Sequence, residues 1–140
     1  MLKIATQLLK KHEGLRLKPY HCTANKLTIG YGRNIEDNGI SEAEAEVMLQ
    51  HDINRTLEEA KTLPFFSSLN ETRQAVIVDM MFNLGFNRFK KFERMLIALE
   101  RNNYNMAAIE MLDSRWAVQV GKRADELSQL MRSGQYEHTH

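Results

Sequence analysis

Only one stretch of this chain carries the alternation of a β-strand. From Leu15 to Gly32, "LRLKPY" and "KLTIGY" alternate roughly apolar and polar on either side of "HCTAN". That is a hairpin pattern, with Asn25 as the turn residue. Elsewhere the apolar residues fall at helical spacing. Leu2, Ala5, Leu8 and Leu9 lie on one face of residues 2–12, and Gly14 follows as a stop. "EDNG" at 36–39 reads as a turn. "SEAE" at 41–44 is a capping box, in which Ser41 accepts the Glu44 amide and Glu44 reaches back. It opens a helix to about Lys61 with Ala45, Met48, Leu49, Ile53, Leu57 and Ala60 on its apolar face. A helix of that length spans about 30 Å, enough for a spine between two lobes. Residues 70–84 predict a strongly apolar helix ended by Gly85. Shorter helices are expected at 92–101, 104–112 and 122–132, with Gly134 as the last stop and "HTH" at 138–140 as a frayed tail. A sheet confined to one region, with helices elsewhere, is the α+β class.

A chain of 140 residues is long enough for one domain with its own core. Its single cysteine excludes an internal disulfide. No apolar run has the length of a membrane span, so no insertion of its own is expected. The N-terminus, "MLKIATQLLKKHEG", reads as a retained helix rather than a secretory leader. Synthesis in the cytoplasm without an export signal follows as an expectation. The charge is uneven: residues 1–33 hold seven basic side chains and one acid, and residues 34–60 hold one base and eight acids. A nucleic-acid partner is not expected, because that class shows a larger basic excess with interleaved aromatics. The eight methionines read as core filler.

The hairpin region also concentrates chemistry. Glu13 is followed by eight residues and then Cys22; five more residues lead to Thr28. Glu13 stands at the end of the first helix, Cys22 at the tip of the hairpin, and Thr28 on its return strand. Gly30 and Gly32 leave room there for a close approach. An acid that protonates a leaving oxygen, with a second group that directs water or attacks carbon, is what glycosidic hydrolysis requires. Two rival chemistries are weaker. A Cys22 nucleophile with His21 or His12 as base suffers because neighbouring strand residues point to opposite faces. A zinc site from His12, His21 and Cys22 lacks sensible ligand spacing, and no metal or cofactor is expected.

The spacing Glu-x8-Cys-x5-Thr, within "EGLRLKPY" and "TIGYG", resembles the phage lysozymes of glycoside hydrolase family 24. "VDMMFNLG" at 78–85, "SRW" at 114–116, "KRADEL" at 122–127 and "RSG" at 132–134 look like further family landmarks in family order. The resemblance covers about residues 3–134. It implies a single two-lobed lysozyme domain over 1–140. A small hairpin lobe at about 13–60 and a larger helical lobe made of about 61–134 plus helix 1–12 would be linked by the long helix. The implied reaction is hydrolysis of the β-1,4 bond between N-acetylmuramic acid and N-acetylglucosamine in bacterial peptidoglycan.

By the same resemblance Glu13 is the general acid, and Thr28 helps hold the attacking water or the sugar. Cys22 falls where the T-even members have aspartate, and cysteine is an accepted alternative in the family pattern. Basic neighbours such as Lys18 or Lys26 are candidates for lowering its pKa. Arg123 matches an arginine that pairs with the catalytic glutamate and orients it. Tyr31, Arg33, Phe82 and Asn83 match positions that line or floor the cleft, although Phe82 suits the core equally. Trp116 suits packing better than sugar stacking.

There are departures from the family pattern. The connection "RNIEDNGIS" is short, which predicts a smaller hairpin lobe, and "FERM" replaces the small polar residues that often follow Phe92. The implied biology is that of a monomeric endolysin. It would wait in the host bacterial cytoplasm until a holin gives it access to the wall. A lytic transglycosylase on the same bond and a non-catalytic peptidoglycan-binding protein are the alternatives.

Overall fold

The computed structural model describes residues 1–137. The "HTH" tail lies outside them. In chain order the elements are α1 (Leu2–Glu13), β1 (Arg16–His21), β2 (Leu27–Gly30), β3 (Arg33–Asn34), α2 (Ile35–Asn38) and α3 (Glu42–Ala60). There follow α4 (Glu71–Leu84), α5 (Phe86–Phe89), α6 (Glu93–Glu100), α7 (Tyr104–Leu112), α8 (Arg115–Val120) and α9 (Lys122–Ser133). A 3-10 turn at Phe66–Ser68 precedes α4. Helices together with one small antiparallel sheet make the α+β architecture that the sequence predicts. The contacts group the chain into two units, one from Met1 to Met48 and the other from Leu49 on. The sheet is in the first unit together with α1, and the divide falls inside α3.

In the first unit the strand order is β1-β2-β3. β1 pairs with β2 at Tyr20↔Thr28 and His21↔Leu27, and a register shift separates these from Arg16↔Gly30. Pro19 lies within that irregular stretch of an edge strand, where its missing N–H does no harm. The turn is closed by the Asn25 N–H on the Cys22 carbonyl at 2.8 Å, with Asn25 in the left-handed region at φ 59°. Among the described residues of this unit no hydrophobic side chain is buried. Polar ties hold it instead. Lys26 pairs with Glu36 at 3.5 Å and Asp37 at 3.3 Å. Arg33 grips Glu44 with two parallel bonds, from Nη1 to Oε1 at 2.6 Å and from Nη2 to Oε2. The capping box is formed as expected, with the Ser41 N–H on Glu44 Oε1 at 2.8 Å and the Glu44 N–H on Ser41 Oγ at 3.1 Å.

The second unit holds the apolar core. Ile77, Met80, Met81, Phe89, Met95, Leu99, Met111 and Met131 are fully buried there. Five of the eight methionines are thus interior, where their unbranched chains fill gaps between short helices. The apolar face expected on α3 is only partly realised. Met48 and Leu49 are exposed, and the helix joins the core through Thr56, Leu57 and Ala60. Side-chain caps from Asn70, Asn103 and Ser114 open α4, α7 and α8. Ser128 on α9 is buried and donates to the Ala108 carbonyl of α7 at 3.2 Å. The end of α9 is held from α4: Arg73 Nε donates to the Met131 carbonyl at 2.7 Å, Arg73 Nη2 to the Arg132 carbonyl at 2.9 Å, and Asn70 to the Gly134 carbonyl at 3.0 Å. Gly134 has φ 68°, and a Cβ there would stand 2.7 Å from Arg73 Nη1, so this closure needs glycine twice over.

Candidate active site

Glu13 is the last residue of α1, and Gly14 turns the chain out of the helix with its N–H on the Lys10 carbonyl. The Glu13 side chain is exposed and lies against Gly32: a Cβ at position 32 would be 2.6 Å from Glu13 Oε2. The room that the sequence reading assigned to the glycines is therefore used, at Gly32, by the carboxylate itself. Gly32 also has φ 79°, which L side chains rarely adopt. Lys10 places its ammonium 5.4 Å from the centre of the Tyr31 ring. The end of α1 is thus packed on the loop between β2 and β3.

Cys22 and Thr28 meet across the hairpin. Thr28 is 2 % exposed, the one buried side chain among the described residues of this unit. Its hydroxyl donates to the Lys26 carbonyl at 2.8 Å, and the same carbonyl accepts the Cys22 N–H at 3.0 Å. The Cys22 thiol is pulled below its usual pKa, first by the Lys26 N–H, then by the Ala24 N–H, with a smaller push from the Thr28 hydroxyl. Backbone donors in the turn do what the sequence reading assigned to lysine charge. The ammonium of Lys26 is occupied by Glu36 and Asp37.

Arg33 has a structural partner. Its fork on Glu44 ties β3 to the first turn of α3, and together with the Ser41 N–H it holds the Glu44 carboxyl down to about 2.

The second unit carries the other candidates. Arg123 Nε donates to Asp79 Oδ1 at 2.9 Å, and Nη2 lies 2.8 Å from the same oxygen. Asp79 lies inside "VDMMFNLG" but is not legible there as a partner, because 44 residues separate it from Arg123. Phe82 is 42 % exposed and so stands outside the core. It lines a pocket of about 340 Å³ with Leu49, Ile53, Val78, Asp79 and Arg123. Asn83 accepts from the Trp116 indole N–H at 2.8 Å. Trp116 is 3 % exposed and meets Phe92 edge-on at 6.2 Å, which is packing, as expected.

The phage lysozyme family model matches residues 10–133, nearly the whole chain. This chain belongs to the phage lysozyme family. Its resemblance to an endolysin of Acyrthosiphon pisum secondary endosymbiont phage 1 is 33 % identity, over 83 % of this chain and 80 % of that one. A probable T4-type lysozyme 2 from Dictyostelium discoideum is 25 % identical over 96 % of each chain. The pre-baseplate central spike protein Gp5 of Enterobacteria phage T4 is 28 % identical over 94 % of this chain, which spans only 28 % of that longer protein. Phage lysozyme membership agrees with the landmarks read from the sequence, and the match includes Glu13, Cys22, Thr28 and Arg123. Among the described residues, no helix is long and apolar enough to cross a membrane.

Proposed function

We propose that the protein is a muramidase that hydrolyses the β-1,4 bond between N-acetylmuramic acid and N-acetylglucosamine in peptidoglycan, and that it serves host-cell lysis as an endolysin. The observation that carries the reading is the first unit of this family member, where the Glu13 carboxylate is seated on Gly32 and the hairpin turn joins Cys22 to Thr28. Glu13 gives its proton to the glycosidic oxygen as the bond to the anomeric carbon breaks. Water adds to that carbon and gives up a proton, which restores the acid form of Glu13, while Thr28 holds the water or the sugar. Turn amides favour the thiolate form of Cys22, and in that form it would support the developing oxocarbenium ion. We assign Tyr31, Arg33, Phe82 and Asn83 to sugar contacts; the role of orienting Glu13 comes to Arg123 from the family resemblance alone, since its guanidinium is held by Asp79 here. The protein acts as a monomer and remains in the host cytoplasm until a holin opens the membrane.

The test is clearing of purified peptidoglycan by wild type and by Glu13→Gln, with mass spectrometry of the fragments. Clearing by wild type alone, with reducing hydrated muropeptides, is the expected result. Anhydro products, which lack one water, would make it a lytic transglycosylase. No release by wild type, or equal clearing by the variant, would overturn the assignment of Glu13.

A further inference from the structure

The helical unit has a polar pocket of about 460 Å³ that no part of the catalytic reading uses. Arg73, Arg101 and Arg132 line it together with Asn102, Asn103 and Tyr104, and no carboxylate does. Neither Arg101 nor Arg132 pairs with an acid among the described residues, and both are exposed. Arg73 is fixed in the wall: two of its nitrogens hold carbonyls at the end of α9, and its guanidinium lies 3.8 Å from the centre of the Tyr104 ring. The asparagines are turned the same way. Asn102 Oδ1 accepts the Tyr104 hydroxyl at 3.2 Å and Asn103 Oδ1 accepts the Met106 N–H at 3.1 Å, which leaves their amide N–H groups as donors. The lining is therefore cationic and rich in donors.

We propose that this pocket binds the phosphate groups of a polyol phosphate. Arginine forks match phosphate oxygens, and the amide N–H groups suit the flanking hydroxyls. A nucleic acid fits less well, because the one aromatic face present is covered by Arg73 and offers no platform for a base. A membrane surface fits less well too, since no aliphatic side chain lines the pocket to enter the acyl layer. The proposal stands apart from the muramidase reading, and its test reads binding and not hydrolysis.

The full chain is titrated with sn-glycerol 3-phosphate and with short poly(glycerol phosphate), and followed by calorimetry and by amide chemical shifts. Saturable binding is expected, with shifts confined to Arg73, residues 101–105 and the end of α9. Arg101→Gln and Arg132→Gln should each weaken it about tenfold, the scale of a charge-assisted hydrogen bond. Arg88→Gln, which removes an exposed charge outside the pocket, should change it less than about twofold. If Arg132→Gln fails to fold, Arg101→Gln and the shift pattern decide. The proposal is overturned if binding does not saturate or if Arg88→Gln weakens it as much. It is also overturned if phosphatidylglycerol vesicles or a single-stranded oligonucleotide bind more tightly than poly(glycerol phosphate).

Discussion

Gly32 and Glu13 are in contact: the space that a side chain at position 32 would fill holds the Glu13 carboxylate. Gly32→Ala must push that carboxylate aside and force alanine into φ 79°. The backbone strain costs about 1–2 kcal/mol. Displacement of a catalytic group by an ångström can cost about a hundredfold in rate. The expected result is a modest drop in melting temperature with a large loss of peptidoglycan clearing. Clearing that falls no further than the folded fraction would show that the contact has no catalytic weight.

The turn amides and the Thr28 hydroxyl favour the Cys22 thiolate. Alkylation by iodoacetamide should therefore reach half its limiting rate at a lower pH than it does for a simple thiol. Thr28→Val should move that midpoint up, toward the ordinary value. A midpoint at the ordinary thiol pKa in both proteins would remove the hairpin's claim to tune this residue.

Glu44 titrates at about 2 because Arg33 and the Ser41 N–H stabilise its charge. A carboxyl depressed in the folded state adds stability that is present above its unfolded pKa. That stability is lost as pH falls from the ordinary carboxylate range toward 2. Both side chains are exposed, so the effect is small and screened by salt. Glu44→Gln should flatten the acid limb of a melting-temperature curve, and Arg33→Gln should flatten it similarly. Unchanged acid limbs in both would count against the pair.

The chain has a single tryptophan, and it is buried against Phe92 with its N–H on Asn83. Native fluorescence should report a shielded indole that shifts red on unfolding. Trp116→Ala should cost about 3–5 kcal/mol, read as a lower denaturant midpoint. A loss under about 1 kcal/mol would be a surface residue's response and would contradict the packing described.

What could be read from the sequence follows from length. α1, α3, α4, α6, α7 and α9 are long enough for apolar spacing and caps to declare them. β3, α5 and α8 run for two, four and six residues, too few for a period, and depend on the contacts around them. The site divides the same way. Glu13, Cys22 and Thr28 sit within sixteen residues, so their spacing is visible. The partners Glu44 for Arg33 and Asp79 for Arg123 are 11 and 44 residues distant, and only the folded chain reveals them. Phe82 matched a cleft-floor position by resemblance and suited the core equally, and its exposure of 42 % excludes the core.

The hold of Arg73 on the carbonyls of Met131 and Arg132 joins residues 58 and 59 apart. In a chain with one cysteine, that closure does without covalency what a cross-link does elsewhere: it fastens the last helix of the described residues to an early one. Helix ends ordinarily fray on their own. Here the final turn of α9 can open only when the clasp from α4 lets go, so its amide protons should exchange with solvent at the pace of the whole helical unit.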